Sequence, residues 1–218
     1  KFLPISDGLN YSEIIGGRRS VDLIQNRYKN ALNTIDDLFM SFQKTMVQLG
    51  MWEDAAIVFT ADHGEEFNEH GCMFHASHLS LPQLSIPLYV KLGKDFTGDI
   101  PDLTRKASQV DIFPTLLHYV TGDDLCSPFF QGESLLAPPK KDYRIGGRSN
   151  ASLPPHEFYI ERGSYRATLE FCHSEDIFHS RMLKVQSIVD EKEELVPFSS
   201  SFFQSQFGSV LDQLFSLN

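Results

Sequence analysis

Acidic and imidazole side chains are concentrated in one stretch, Thr60-Ala-Asp-His-Gly-Glu-Glu-Phe-Asn-Glu-His-Gly-Cys-Met-Phe-His-Ala-Ser-His78. Its Asp62-His63-Gly64 segment directly follows an apolar run, and Gly64 permits the turn that would bring both side chains to one ion. An Asp oxygen beside a His nitrogen suits Zn²⁺ or Mn²⁺ better than Ca²⁺, which prefers oxygen ligands. The pattern therefore predicts a divalent metal site with Asp62 and His63 as ligands. The alternative is that Asp-His-Gly is only a turn.

The other ionisable residues of this stretch have weaker claims to a function. Glu65 and Glu66 could serve in acid–base work, and Glu65 could support the metal ligands, but acidic residues after a strand are more often solvated or cap a helix. His70 could hydrogen-bond a metal ligand from behind, or it could be an ordinary loop histidine. His78 lies three residues after His75, so on a helix the two would share a face. His78 is then either a supporting group of the site or a satisfied core histidine.

Apolar spacing predicts the elements that would position these residues. Residues 20–50 repeat apolar side chains every three or four positions, which indicates a long amphipathic helix with a serine cap and a terminal glycine. Residues 55–60 and 86–92 are short continuous apolar runs, typical of strands buried on both faces. Residues 111–120 predict a further helix with Asp111 as its N-cap. This order predicts an α/β fold with a largely parallel central sheet flanked by helices.

The C-terminal part of the chain differs in amino-acid composition, with frequent prolines and turn-forming residues. Residues 157–161 and 165–169 predict a β-hairpin, and residues 182–189 predict another strand. The apolar pattern near the C-terminus predicts a closing helix. We therefore divide the chain into an α/β core, residues 1–126, and a small β-rich subdomain, residues 127–218.

Composition narrows the classes of function. The chain has 218 residues, of which 41% are hydrophobic, and its 19 Lys and Arg against 29 Asp and Glu give a net charge of −10. This charge argues against nucleic acid as a partner. The 3 cysteines are too few and too scattered for a disulfide scaffold or a structural zinc site. No apolar run approaches the roughly 18 residues of a membrane span, and the first residue is Lys1 rather than Met. We therefore expect targeting signals and any membrane anchor to lie outside this sequence.

Three motifs resemble a known family in their order and spacing. They are residues 58–71, which contain the Asp-His-Gly segment, residues 86–90, Ile-Pro-Leu-Tyr-Val, and residues 109–117, Gln-Val-Asp-Ile-Phe-Pro-Thr-Leu-Leu. Together they resemble the C-terminal half of a sulfatase-type domain of the alkaline phosphatase superfamily. The resemblance implies an α/β sandwich with a smaller C-terminal β-rich subdomain. It also implies a metal-dependent hydrolase of sulfate esters or a transferase of phospho-head-groups.

The resemblance also assigns roles to individual residues. Asp62 and His63 match the family's metal-ligand pair. His75 stands thirteen residues after Asp62, where classical arylsulfatases have a lysine that holds the sulfate. A histidine there is similar to phosphoethanolamine and phosphoglycerol transferases and to membrane-anchored sulfatase-like proteins, and Gln83 supports this subgroup. The resemblance thus implies a catalytic role for His75, a lipid or glycan ester as substrate, and an extracytoplasmic domain attached to a membrane.

The nucleophile of this family lies upstream of the long helix, and residues 1–19 contain no matching constellation. We therefore expect these 218 residues to hold part of an active site, with Asp62, His63 and His75 present and the nucleophile elsewhere. The alternative function is a non-catalytic, membrane-linked regulatory module that keeps the sulfatase fold.

Overall fold

The computed structural model describes residues 1–5, 11–15, 20–99, 105–124, 130–148, 157–172 and 183–215. The chain forms two compact units, one of residues 1–77 and 85–97 and the other of residues 78–84 and 98–218. No helix in the described ranges is both long enough and apolar enough to cross a membrane. The predicted boundary between residues 126 and 127 lies outside the described residues and stays a prediction.

The first unit combines two helices with two small pairs of strands. Its elements are helices α1 Tyr11–Ile15 and α2 Val21–Gln48, and strands β1 Ile57–Thr60, β2 Glu66–Phe67, β3 Met73–Phe74 and β4 Leu88–Lys91. The second unit contains the remaining elements. They are α3 Leu81–Leu84, a 3₁₀ turn Gln109–Asp111, α4 Ile112–Thr121, β5 Tyr143–Arg148, β6 Glu157–Arg162, β7 Tyr165–Phe171, β8 Leu183–Asp190 and α5 Ser200–Phe215.

Helix α2 begins and ends as its sequence predicts. The Asp22 N–H donates to Ser20 Oγ over 3.3 Å, so Ser20 is the N-cap. Gly50 follows the helix with a φ of +68°, a left-handed conformation that glycine adopts without strain. The Phe39 ring packs edge-on against Phe59 of β1, with centroids 5.4 Å apart. This contact holds β1 against the helix.

Strands β1 and β4 pair antiparallel, from Ile57 opposite Lys91 to Thr60 opposite Leu88. All strand pairs in the described part of the chain are antiparallel, so the predicted largely parallel sheet is not confirmed. Strand β1 is half-buried along its length and not buried on both faces. An apolar run does not specify strand direction, and a parallel pair needs a crossover that is usually a helix. The only helix in residues 61–87, between the two strands, is the four-residue α3.

The second unit is built on an antiparallel sheet in the order β5-β6-β7-β8. The predicted hairpin is confirmed as β6 and β7, and the predicted closing helix is α5. Six fully buried side chains from the sheet and α5 form the core: Ile160, Ala167, Leu169, Ile188, Phe207 and Val210. Strand β5 was not predicted, because Gly146 and Gly147 interrupt its pattern. A Cβ at position 146 would lie 2.6 Å from the Tyr159 ring, so a larger residue there would require this ring to move.

Asp111 is the N-cap residue of α4, as predicted, but its side chain makes no capping bond to this helix. Its carboxylate accepts the backbone N–H of Ser108 over 2.8 Å and that of Glu133 over 2.7 Å. In addition, Thr115 Oγ1 donates to the Asp111 carbonyl oxygen over 2.6 Å and accepts the Leu135 N–H over 2.8 Å. The side chains of Asp111 and Thr115 therefore tie the first turn of α4 to the segment that follows residue 130.

Candidate active site

The candidate site lies in the loop that follows β1, as the sequence predicts. Thr60, the last residue of β1, donates its hydroxyl to the Pro87 carbonyl oxygen over 2.8 Å, which fixes the end of β1 beside the start of β4. The chain then turns into solvent, where the Asp62 side chain is 87% exposed and that of His63 is 41% exposed. Both predicted metal ligands are thus accessible to an ion.

Asp62 and His63 present a matched pair of donor atoms. The His63 Nδ1 lies 2.9 Å from the Gly64 carbonyl oxygen. Because a carbonyl only accepts, Nδ1 carries the proton and Nε2 of the neutral ring keeps a free lone pair. That Nε2 lies 3.6 Å from Asp62 Oδ2. Two donors bound tetrahedrally to one zinc ion lie about 3.4 Å apart, so this pair fits a shared divalent ion.

The loop beyond His63 is shaped by a buried carboxylate. Glu66 is fully buried, and its Oε1 accepts the backbone N–H of His70 over 3.0 Å and that of Cys72 over 3.3 Å. These bonds close the turn between β2 and β3. The two strands pair antiparallel, with Glu66 opposite Phe74 and Phe67 opposite Met73. Glu66 therefore has a structural role and is not positioned for acid–base chemistry at the surface.

The β2–β3 pairing brings Glu65 to His75. The His75 Nδ1 lies 3.1 Å from Glu65 Oε2 and 3.4 Å from Oε1. The His75 ring also lies against the His63 ring, with centroids 3.9 Å apart and planes 32° apart. The Glu65–His75 pair was not predicted, although both residues were candidates. The pairing of β2 with β3 is the signal that could have revealed it. If the antiparallel register is extended by one residue beyond Glu66 and Phe74, Glu65 comes opposite His75.

The other two histidine candidates lie elsewhere. His70 is exposed, and its Nδ1 lies 4.0 Å from Glu66 Oε1, beside the carboxylate that shapes the turn. His78 accepts a hydrogen bond from buried Gln83, with Nε2 of Gln83 3.1 Å from His78 Nδ1. Residues 75–78 are not helical, so the shared helix face proposed for His75 and His78 does not form. The His78–Gln83 bond agrees with the interpretation of His78 as a satisfied histidine.

Comparison with known sequences places this loop within a family segment. Residues 17–122 match the sulfatase family model. The chain is 28% identical over 98 residues to the multifunctional alkaline phosphatase superfamily protein PehA of Trinickia caryophylli. It is 32% identical over 101 residues to the low-salt glycan biosynthesis sulfotransferase Agl7 of Haloferax volcanii. Each match covers 44% of this chain, and 18% and 24% of the two relatives, so the chain spans about a fifth of their lengths.

Comparison with solved structures supports the same fold. BT4656, in complex with its substrate D-glucosamine-2-N,6-O-disulfate, superposes with a TM-score of 0.63 at 16% identity. The phosphonate monoester hydrolase SpPMH of Silicibacter pomeroyi superposes with a TM-score of 0.60 at 17% identity. Both superpositions cover 89% of this chain and 40% of the other. The fold of the chain is therefore similar to about two fifths of these enzymes.

Proposed function

Because the chain carries part of a sulfatase-type domain of the alkaline phosphatase superfamily, matched over residues 17–122, we propose that it serves metal-dependent hydrolysis or transfer of a sulfate or phosphate ester. The observation that carries this proposal is the pairing of Asp62 Oδ2 with His63 Nε2, 3.6 Å apart, at the exposed end of β1. The pair lies within the family match and has the spacing that one divalent ion requires.

The donor chemistry favours Zn²⁺ or Mn²⁺ over Ca²⁺, since one of the two donors is an imidazole nitrogen. Such an ion, when bound, stabilises negative charge on the ester oxygens and activates the nucleophile. Within this chain, the Gly64 carbonyl holds the His63 ring in the tautomer that presents Nε2. The Asp62 oxygen Oδ1 accepts the backbone N–H of His63 over 3.0 Å, which keeps Oδ2 of the same carboxylate beside the ring nitrogen Nε2 of His63.

His75 is the residue that we assign to the transferred group. Its Nδ1 is held by Glu65, so Nε2 of the same ring is the atom left to meet the ester. In its cationic form the ring can donate from Nε2 to an ester oxygen, or protonate the leaving group, while Nδ1–H stays bonded to the carboxylate. Glu65 is in this proposal a positioning residue for His75.

The proposed substrate follows from the relatives by analogy, whereas the proposed setting follows only from the resemblance of the sequence motifs. One relative is a glycan sulfotransferase by its description, and one similar structure holds a sulfated glucosamine. We extend the proposal to a sulfated or phosphorylated glycan or lipid, handled by an extracytoplasmic domain of a membrane-anchored protein. The nucleophile is proposed to come from polypeptide that is not among these 218 residues, in keeping with the two-fifths share of the similar structures.

The test combines metal content with turnover of nitrophenyl sulfate and nitrophenyl phosphate by the intact protein. Asp62→Ala and His63→Ala should each lower metal affinity and turnover by at least about 10-fold. Asp54→Asn is the matched control, because this exposed carboxylate pairs with Lys94 away from the site loop. Unchanged metal content in the double variant would overturn the metal assignment. A metal-loaded wild type that turns over neither ester would overturn the enzyme assignment and favour the regulatory module.

A further inference from the structure

We infer that Arg144, Tyr159 and Arg166, on the polar face of the second unit's sheet, form a binding site for a free tetrahedral oxyanion such as inorganic sulfate or phosphate. The three side chains come from the neighbouring strands β5, β6 and β7. Arginine and tyrosine supply N–H and O–H donors, and the guanidinium group suits the bidentate contacts that such oxyanions accept. The inference uses no residue of the candidate active site, so it neither rests on the proposed function nor fails with it.

The register of the sheet places the three side chains on one face. Glu161 of β6 lies opposite Arg144 on one side and opposite Arg166 on the other. Tyr159 is two residues from Glu161 on the same strand and shares its face, whereas Ile160 between them points into the core. Tyr159 is therefore a diagonal neighbour of both arginines, about 7–8 Å away along the backbone, which long side chains can span.

The Tyr159 side chain leans over β5, the strand that carries Arg144. A Cβ on Gly146 would lie 2.6 Å from the Tyr159 ring and 2.9 Å from its hydroxyl oxygen. Burial raises the pKa of Tyr159, and the charge of Glu161 raises it further. The charges of Arg166 and Arg144 act in the opposite direction, so the hydroxyl lies within electrostatic range of both guanidinium groups.

Neither guanidinium group is fully compensated by its neighbours. Arg166 is only 8% exposed, and its Nε has no hydrogen-bond partner in the described part of the chain, although Nη2 pairs with Glu193. Burial lowers the pKa of Arg144, and the charges of Glu161 and Asp111 offset only part of this effect. A buried donor without an acceptor destabilises a fold. An anion that accepts from both groups would remove this cost.

The neighbouring carboxylates are already engaged by other groups. Lys106 pairs with Glu161, and the Asp111 carboxylate accepts two backbone N–H groups. Among the described residues Arg144 has no carboxylate at ion-pair distance, so an added anion would complete its charge. The low exposure of Arg166 favours a small free ion over a bulky ester.

The experiment is a calorimetric titration of the 218-residue chain with inorganic sulfate and inorganic phosphate at about pH 7, where arginine is charged and tyrosine is neutral. Arg144→Gln and Tyr159→Phe should each weaken binding by at least about 10-fold, because each removes a hydrogen bond to a charged ligand. Arg27→Gln is the matched control, since it removes the same charge from an exposed position on α2 and should leave the affinity unchanged.

Three results of this titration would overturn the inference. The first is equal affinity in wild type and Arg144→Gln. The second is an equal loss in Arg27→Gln, which would indicate binding by general charge. The third is binding of acetate or methyl phosphate as tight as that of inorganic phosphate, which would refute the choice of a free tetrahedral ion.

A second measurement leaves Arg166 in place, because this buried side chain also pairs with Glu193 and its replacement could unfold the chain. In wild type, the Nε–H resonance of Arg166 should shift as phosphate is added, with the dissociation constant found by calorimetry. The Nε–H of Arg162 is the control, because it already donates to Asp142 Oδ2 over 2.8 Å and should stay in place. A constant Arg166 resonance in a chain that binds phosphate would locate the ion elsewhere and contradict the inference.

Discussion

Replacing Asp111 tests whether its carboxylate joins two segments, as the structure indicates, or caps α4, as its position before the helix suggests. The residue is 9% exposed, and its two oxygens accept the Ser108 and Glu133 N–H groups over 2.8 and 2.7 Å. Asp111→Ala removes both acceptors, and each unpaired N–H costs about 1–3 kcal/mol when it is kept from water. We therefore expect Asp111→Ala to lower the free energy of unfolding by about 2–6 kcal/mol.

Asp111→Asn separates the two roles. Asparagine is as good an N-cap as aspartate, so a cap would be unharmed by Asn and would lose only about 1 kcal/mol in Ala. An asparagine at position 111 could accept one of the two backbone N–H groups with its side-chain carbonyl oxygen. Its NH₂ group would then face the other N–H group, and two donors cannot bond to each other. We therefore expect Asp111→Asn to cost about half as much as Asp111→Ala, or about 1–3 kcal/mol.

The assay is equilibrium unfolding of the chain in urea, with the free-energy change taken from the midpoint shift at unchanged slope. Asp212→Ala is the matched control, because Asp212 is an exposed aspartate on α5. A control change within about 0.5 kcal/mol is expected for such a surface position. Either of two results would refute the role of Asp111 in joining two segments. One is a free energy of unfolding for Asp111→Asn equal to that of the wild type, and the other is a loss in Asp111→Ala of no more than the roughly 1 kcal/mol of a helix cap.

Two further stability predictions concern the second unit. Gly132→Ala should cost about 1–3 kcal/mol, because its Cβ would lie 2.0 Å from the Val110 carbonyl oxygen and the backbone must shift; an unchanged urea midpoint would contradict this. Burial raises the pKa of Tyr159, and the charge of Glu161 raises it further. Its contribution to stability is therefore complete below about pH 10, the pKa of an unfolded tyrosine, and is lost as the pH rises toward the higher folded value. Tyr159→Phe should reduce the alkaline loss of stability in unfolding curves measured between about pH 8 and pH 11, whereas equal pH slopes would argue against the prediction.

The elements that the sequence predicts correctly carry their signals locally. Helix α2 has a serine cap, an amphipathic repeat and a terminal glycine within one segment, and each acts as expected. The β6–β7 hairpin has two strand-forming runs around Gly163, whose φ is +55°. These features depend on neighbours in the sequence, so sequence alone is enough to place them.

The features that the sequence does not predict depend on distant partners. The direction of β1 against β4 is set by the connection between them, and the apolar runs contain no information on it. Strand β5 is not recognisable from its sequence because it contains two glycines, one of which, Gly146, faces the Tyr159 ring on the neighbouring strand. The carboxylate of Asp111 acts on Glu133, which lies 22 residues away.

The candidate site depends both on local sequence signals and on contacts with residues more distant in the sequence. The adjacent residues Glu65 and Glu66 show which of its features depend on each. By type both carboxylates were candidates for acid–base work, and only Glu65 was also a candidate for supporting the metal ligands. In the structure Glu66 of β2 is buried and holds the turn, whereas Glu65, the residue before β2, lies with its Oε2 3.1 Å from His75 Nδ1. A slip of one residue would exchange the two faces and put the wrong carboxylate beside the histidine. Because the bonds from Glu66 to the His70 and Cys72 N–H groups fix this turn, the buried carboxylate determines which acidic residue the site receives.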